Sequence, residues 1–199
     1  SDRLFGHVFF YLVLIMLGAS TGLLALVNDF IHLSAAQSYW PALPVVSWLV
    51  GSYILQVWGD YFRFGCFYTA NNRYITYSSI ATVVVITGLY LYLIPQQGAL
   101  GAGKAMFIAS FVRFATIYFW GQKLFRISVP WTRIVGSIAY FSAALYIITL
   151  IPLEGVAAML VKGLAAGIAC IAVFATPLID REHRRALYGQ LASITGRSK

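Results

Sequence analysis

Three positively charged side chains lie inside stretches of this chain that are otherwise apolar: Lys104, Arg113 and Lys162. A lysine or arginine near the middle of a lipid bilayer costs about 2.5–3.5 kcal/mol on the insertion scale, so it usually faces protein or a water-filled cavity. Cations in such a cavity attract anions, and we predict that each of these three residues is a candidate for binding an anionic substrate. The alternatives for each are that it reaches to the membrane surface or makes a structural contact with a carbonyl group.

Helical geometry separates the three cations. At about 1.5 Å per residue, Arg113 lies about 20 Å from the start of its predicted helix, and Lys162 about 10 Å from the start of its own. At about 100° per residue, Lys104 points about 180° away from Arg113, so the two cannot face one lumen on a straight helix. Arg113 shares its face with Ser110 and Thr116. Lys162 has small neighbours that leave room for a ligand head group or for a closely packed helix: Ala158, Ala165, Ala166 and Ala169.

The chain offers no constellation of residues for covalent chemistry. Its three histidines are too scattered for a metal or catalytic centre, and no acid lies at the centre of an apolar stretch. Asp29 and His32 are expected in solvated positions at the outer surface, and Asp60 at the inner surface. Asp60 and Arg63 are three residues apart and are expected to pair on a helix. We predict that the protein is not an enzyme and requires no cofactor and no metal.

The stretches that hold these residues are long and apolar. Of 199 residues, 60% are hydrophobic and 10% are charged, against about 25% charged in soluble domains, and the mean hydropathy is +0.80. About 20 residues of helix cross a hydrocarbon core of about 30 Å. We predict an all-α polytopic membrane protein in which residues 1–199 form a single bundle of six transmembrane helices, at about residues 5–27, 42–58, 74–94, 99–120, 134–152 and 156–179.

Lysine and arginine outside the predicted spans are confined to alternate connections. Eleven lie before the first span, between the second and third, between the fourth and fifth, and after the last; residues 28–41, 96–98 and 153–155 contain none. This is the positive-inside pattern, and it predicts that both termini are cytoplasmic. The net charge of +8 therefore reflects topology. Without a soluble domain to present a basic face, we expect no nucleic-acid partner.

Short sequence similarities suggest how the helices turn and pack. Residues 93–98 (LIPQQG) and 150–155 (LIPLEG) each predict a tight hairpin in which proline stops one helix and glycine helps to start the next. The similarity suggests repeated hairpins, as in many transporters, or arises by chance. Two pairs of glycines four residues apart, in the first and last spans, predict close helix packing: Gly18 with Gly22, and Gly163 with Gly167.

Two segments carry a resemblance to a known family. Residues 87–102 (TGLYLYLIPQQGALGA) contain an apolar helix followed by Leu-Ile-Pro, two polar residues, Gly and then Gly-Ala. Residues 40–44 (WPALP), followed by Gly51, resemble the start of the eighth helix of the same family. The chain resembles, over nearly its whole length, the C-terminal half of polysaccharide flippases of the multidrug/oligosaccharidyl-lipid/polysaccharide exporter superfamily. Lys104 departs from the family pattern, which usually has an apolar or small residue there.

The resemblance implies a twelve-helix transporter with a cationic cavity between two six-helix halves that gives alternating access. The chain would be the second half and its partner the N-terminal half; a start at Ser-Asp-Arg fits a fragment or a processed product. The implied substrate is a polyprenyl-diphosphate-linked oligosaccharide, such as an O-antigen or other lipopolysaccharide precursor, moved across the bacterial inner membrane. Arg113, Lys162 and Lys104 would bind it. The alternatives are a drug or metabolite exporter, a membrane-embedded glycan-modifying enzyme and a structural membrane subunit.

Overall fold

The computed structural model describes residues 2–68, 73–124, 128–150 and 156–173. These residues form six α-helices, as predicted, and a 3₁₀ helix (Gln37–Ala42) that joins the first two. The α-helices are α1 (Asp2–Ser34), α2 (Leu43–Tyr68), α3 (Arg73–Gln97), α4 (Ala99–Leu124), α5 (Trp131–Thr149) and α6 (Val156–Ala172).

Four of the helices, α1, α3, α4 and α5, are long and apolar enough to cross a membrane. By helix length and hydropathy the chain is therefore a multi-pass membrane protein. Helix α2 has 26 residues, but Gln56, Asp60 and Arg63 lower its mean hydropathy. Helix α6 is apolar, and its 17 described residues extend about 26 Å. Membrane crossing by α2 and α6 stays a prediction.

Helices α2, α3 and α4 pack as one group, with α4 in contact with both others. Gly103 of α4 lies beside Val45 at one end of α2, and Gly121 lies beside Phe62 at the other, so α2 and α4 run parallel. Helices α3 and α4 form an antiparallel hairpin that turns at Gly98. The φ of Gly98 is +56°, in the left-handed region that glycine adopts without a steric penalty.

Helices α1, α5 and α6 form the second group, in which α1 runs parallel to α5 and antiparallel to α6. The close approaches that show this are Gly6 with Ser128, Gly18 with Phe141 and with Cys170, and Asp29 with Lys162. Helix α1 also joins the two groups, because the hydroxyl of Tyr61 in α2 donates to the Phe5 carbonyl at 2.6 Å. Aromatic rings from α1, α2 and α4 pack beside this bond: Phe9, Trp58, Phe62, Phe114 and Tyr118.

Successive helices therefore alternate in direction. The starts of α1, α3 and α5 and the ends of α2, α4 and α6 lie at one end of the bundle, which we call the basic end because Arg63, Arg73, Lys123 and Arg133 lie toward it. The turns after α1 and α3 lie at the opposite end. This is the alternation that the charge pattern predicts, while the cytoplasmic assignment of the basic end stays a prediction.

Two predicted helix ends are wrong. Helix α1 continues to Ser34, seven residues beyond the predicted span, because its last turns pack against α6. Pro95 does not stop α3, which ends at Gln97; so close to a helix end, the missing proline N–H removes one hydrogen bond and the last turn still forms. Helix α5 ends at Thr149, and most of the second predicted hairpin, 151–155, lies outside the described residues.

The glycine pairs pack closely at only one member each. A Cβ on Gly18 would lie 2.9 Å from the Cys170 sulfur, and one on Gly163 would lie 3.7 Å from Leu26. Among the described residues, a Cβ at Gly22 or Gly167 would meet nothing within 4 Å. The prediction of close packing is therefore confirmed at Gly18 and Gly163, and the described residues show no close packing at the other two glycines.

Candidate functional site

A cluster of three charged side chains joins α2 to α4. One oxygen of Asp60, Oδ1, accepts a hydrogen bond from Arg113 Nη2 at 3.2 Å and lies 3.1 Å from Arg63 Nη1. We call Asp60, Arg63 and Arg113 the charged cluster. The predicted pairing of Asp60 with Arg63 is confirmed. Arg113 joins them because α2 and α4 are parallel neighbours, which places residues 53 positions apart in the chain at the same height.

Arg113 of the charged cluster lies deep in the bundle, and Asp60 is open to its surroundings. Arg113 lies about 21 Å from the start of α4 and about 16 Å from its end. The Asp60 side chain is 53% exposed, whereas those of Arg63 and Arg113 are 24% and 23% exposed. A half-exposed carboxylate and its arginines are costly to place in hydrocarbon. This side of α2 and α4 is therefore expected to face water, lipid head groups or another protein surface.

A polar seam extends from the charged cluster along α2 and α4. One helical turn away, Gln56 Nε2 of α2 donates to the Ser110 hydroxyl of α4 at 3.3 Å. We define the polar seam as Gln56, Ser110 and the charged cluster. The Thr116 hydroxyl donates to Val112 of its own helix at 2.7 Å, so it is already used locally. The seam offers amide, hydroxyl and guanidinium groups, which suit sugar hydroxyls and phosphate oxygens.

Within the charged cluster, hydrogen-bond donors outnumber acceptors. Each guanidinium has five N–H donors in a planar fork, whereas Asp60 provides one carboxylate. Among the described residues, the buried Nε of Arg63 has no partner. One carboxylate between two arginines leaves a net charge of +1. Such an arrangement favours an anion with several oxygens, because arginine binds carboxylate and phosphate through two parallel hydrogen bonds.

Lys162 lies in a different place and has a different partner. Its Nζ donates to both carboxylate oxygens of Asp29, at 2.8 and 3.1 Å. The side chains are 9% and 7% exposed, so the pair ties α6 to α1 in the interior. The prediction that Asp29 is a solvated loop residue is therefore wrong: α1 continues through it and turns it toward α6, where a buried lysine requires an opposite charge.

The small face beside Lys162 is filled by neighbouring helices. Ala158 is fully buried. Ala166 is 3% exposed and packs in one apolar cluster with Ala25 of α1 and Ile148 of α5. The sequence leaves two possibilities for this small face, a ligand head group or a closely packed helix. At Ala166 the structure shows a closely packed helix. An anion that approached Lys162 would have to compete with Asp29. The role of Lys162 in substrate binding stays a prediction.

Lys104 lies near the end of the bundle that is opposite the basic end. Its Nζ donates to Gln97 Oε1 at 2.7 Å, across the turn between α3 and α4. The structure thus gives the three predicted cations separate partners on separate elements: Asp60 of α2 for Arg113, Asp29 of α1 for Lys162, and Gln97 of α3 for Lys104. Of these, Arg113 lies in the polar seam.

Asp29 and Gln56 are not among the predicted site residues. Asp29 has a usable sequence signal, since a lysine in an apolar helix without a local acid needs a partner from another helix at the same depth. Asp29 lies five residues before the end of α1, and Lys162 lies six residues after the start of α6; both ends belong to the same side of the bundle. Gln56 has no comparable signal, because a neutral amide pairs with many groups.

In the part of the chain that the structure describes, no three His, Cys, Asp or Glu residues are grouped closely enough to hold a metal ion. Comparison with protein-family models, with curated proteins and with solved structures finds no match. The comparisons identify no family, so the resemblance to polysaccharide flippases stays a prediction. The structural basis for a function is the set of long apolar helices and the polar seam.

Proposed function

We propose that this chain is one half of a flippase that moves polyprenyl-diphosphate-linked oligosaccharide, such as an O-antigen precursor, across the bacterial inner membrane by alternating access. The observation that carries the proposal is the charged cluster. Two arginines, each about a quarter exposed, share one half-exposed carboxylate in an apolar bundle, whereas a purely structural ion pair would be balanced and buried. Surplus positive charge of this kind suits a cavity that passes anionic cargo.

The chemistry of the substrate class matches the polar seam. The diphosphate of such a lipid is anionic, and two guanidinium groups in low-dielectric surroundings attract it more strongly than they would in bulk water. The glycan carries hydroxyl groups that the partly exposed Gln56 is suited to bind, while the buried Ser110 hydroxyl accepts from its amide. Transport of this kind breaks no covalent bond, so the proposal requires neither a catalytic centre nor a cofactor.

A seam that is open on one side needs a facing surface to form a cavity. We assign that surface to the N-terminal six-helix half of the same transporter. Both termini of this chain are then cytoplasmic, with the basic end inside. Arg113 is the principal substrate-binding residue in this proposal. Lys104 and Lys162 remain further candidates, and the substrate would have to displace Gln97 or Asp29 from them.

One observation favours a cation-coupled drug or metabolite exporter as a second candidate. Such exporters are expected to hold an acid within a membrane helix, and Asp29 lies buried in α1. Its carboxylate is neutralised by Lys162, however, so proton or sodium binding would first have to break the ion pair. Lys162 thus weakens this candidate relative to the flippase.

The test uses the complete transporter containing this chain, reconstituted into vesicles with a fluorescent polyprenyl-diphosphate oligosaccharide. The assay measures how fast the glycan becomes accessible to a glycosidase on the other side. We expect Arg113→Ala to slow this movement about tenfold or more, equivalent to about 1.4 kcal/mol. Arg113→Lys should retain much of the rate if charge is what matters. Arg73→Ala removes an equal charge from an exposed position at the basic end and serves as the matched control.

Normal movement of the glycan by a well-folded Arg113→Ala variant would refute the assignment of Arg113. Failure of both Arg113→Ala and Arg113→Lys, with an active Arg73→Ala control, would instead show that the planar guanidinium is required. If the vesicles expel small organic cations and move no glycan, the exporter is correct and the flippase proposal is wrong.

A further inference from the structure

The carboxylate of Asp60 is held loosely by its two arginines. Both approach the same oxygen, Oδ1, with Arg63 Nη1 at 3.1 Å and Arg113 Nη2 at 3.2 Å. Charge-assisted hydrogen bonds from arginine to a carboxylate are typically about 2.7–2.9 Å long, and the strongest pairs use two parallel bonds to two oxygens. The shared oxygen and the longer contacts therefore place Asp60 outside the strongest geometry for either arginine.

The exposure of Asp60 also distinguishes it from the other interhelical acid. The Asp60 side chain is 53% exposed, whereas Asp29 is 7% exposed and binds Lys162 through both of its carboxylate oxygens. A half-exposed ion pair is screened by its surroundings and contributes little to stability, while a buried pair is costly to separate. The carboxylate of Asp60 can therefore leave its partners at small cost, and that of Asp29 cannot.

The arginines have hydrogen-bonding capacity beyond what Asp60 uses. Each guanidinium group has five N–H donors, and among the described residues the buried Nε of Arg63 has no hydrogen-bond partner. A diphosphate carries more oxygen atoms than a carboxylate, so it satisfies more of these donors. Two anions that bind the same guanidinium groups repel each other. A diphosphate that binds Arg63 and Arg113 must therefore displace Asp60.

We propose that Asp60 is an internal anion that occupies the two arginines between transport events and gives way to the diphosphate of the substrate. This inference rests on the proposed flippase function. A transport site must bind its cargo well enough to admit it and weakly enough to release it. The return of Asp60 to Arg63 and Arg113 lowers the affinity for the substrate and so promotes its release on the far side of the membrane.

The test measures two properties of the complete transporter: the dissociation constant of a fluorescent polyprenyl-diphosphate oligosaccharide in nanodiscs, and the rate at which vesicles move it. Asp60→Asn keeps the shape of the side chain and removes the competing charge. We expect this variant to bind the lipid about tenfold more tightly. At saturating lipid it should move the glycan several-fold more slowly, because release is delayed.

Gln96→Lys is the control for total charge. It adds one positive charge at an exposed position near the opposite end of the bundle, where solvent screens it from the charged cluster, and it should leave both measured values within about twofold. An affinity gain equal to that of Asp60→Asn would mean that total charge attracts the lipid, and would overturn the inference.

The remaining outcomes separate this inference from the flippase function. If the unmodified transporter moves the glycan but Asp60→Asn binds the lipid no more tightly, Asp60 only positions the arginines and the inference is wrong while the function stands. Tighter binding with an unchanged rate of movement would overturn the role of Asp60 in release. If the unmodified transporter neither binds nor moves the glycan, the flippase function is wrong and the inference fails with it.

A charge switch at position 60 keeps the test valid if Asp60→Asn does not fold. In a variant with Cys66 and Cys170 replaced by serine, Asp60→Cys removes the charge with a smaller side chain, and its thiol is modified after folding. A methanethiosulfonate reagent that carries a sulfonate restores the negative charge, and it should weaken lipid binding about tenfold relative to a neutral reagent of similar size. Equal binding after the two modifications would overturn the inference.

Discussion

At the residue scale, the Asp29–Lys162 pair has the clearest energetic consequence. Both charges are buried, and the lysine bonds both carboxylate oxygens. Removing one member of a buried pair leaves the other charge without compensation, which costs about 3–5 kcal/mol. Replacing both members by apolar residues of similar volume is often neutral or stabilising. The pair therefore affects stability differently depending on whether one or both residues change.

We expect Lys162→Ala to lower the free energy of unfolding by about 3–5 kcal/mol, whereas the double variant Lys162→Met with Asp29→Leu should recover most of the loss. Unfolding of the purified protein in mixed micelles measures both effects. Lys104→Met is the control, because it removes a single hydrogen bond to Gln97 and should cost about 1 kcal/mol or less. A Lys162→Ala variant of unchanged stability that abolishes glycan movement would instead support Lys162 as a substrate ligand.

Local pairs can be predicted from this sequence, and distant pairs depend on the fold. Asp60 and Arg63 lie within one turn of one helix, so their spacing alone predicts the contact. Arg113 joins them only because α2 and α4 are neighbours. Lys162 and Asp29 are 133 residues apart, and their contact depends on α6 packing against α1. The sign of the charge and the depth of a residue along its helix limit which side chains can pair with it. They do not show which of the other five helices supplies the partner.

At the element scale, Gly101 controls how closely α3 and α4 pack. A Cβ at this position would clash with the backbone carbonyl of Leu93, and a backbone group cannot move aside as a flexible side chain can. We expect Gly101→Ala to destabilise the protein by about 1–3 kcal/mol, as overpacking does. The effect is measured as a shift of the unfolding midpoint in mixed micelles.

Gly88 of α3 provides the matched control, since a Cβ there would meet nothing within 4 Å. Gly88→Ala should be neutral or should stabilise the helix by up to about 1 kcal/mol, because alanine is the better helix former. If Gly101→Ala and Gly88→Ala shifted the midpoint equally, the close approach of α3 and α4 would be wrong.

The existence of the helices follows from hydropathy, while their ends depend on tertiary contacts. Apolar runs predict all six helices because each is long compared with a turn. The run in α1 stops near Val27, yet the helix continues to Ser34, where the Asp29 pair and the packing of His32 on Trp40 at 4.1 Å stabilise the last turns. Pattern alone cannot show such contacts, since they come from elements elsewhere in the chain.

At the scale of the whole molecule, much of the surface is apolar. Helix α3 buries Ser78 and little else among its described residues, and it exposes large side chains to its surroundings: Tyr77, Ile80, Val83, Val84, Leu91 and Tyr92. Lipid or the proposed N-terminal half is the surface that such a helix requires. The half-exposed carboxylate of Asp60 in the polar seam contrasts with this apolar face of α3, in agreement with the proposed transport role.

The proposed flippase requires helices that cross the membrane alternately, with the basic end in the cytoplasm. Single cysteines at Gln37, Arg73 and Gln96, in a variant with Cys66 and Cys170 replaced by serine, test this with a membrane-impermeant thiol reagent applied to intact cells and to inverted vesicles. We predict that positions 37 and 96 react from the outside of cells and that position 73 reacts only in inverted vesicles. Labelling of positions 73 and 96 from the same side would contradict the crossing of α3, and labelling of positions 37 and 73 from the same side would contradict the crossing of α2.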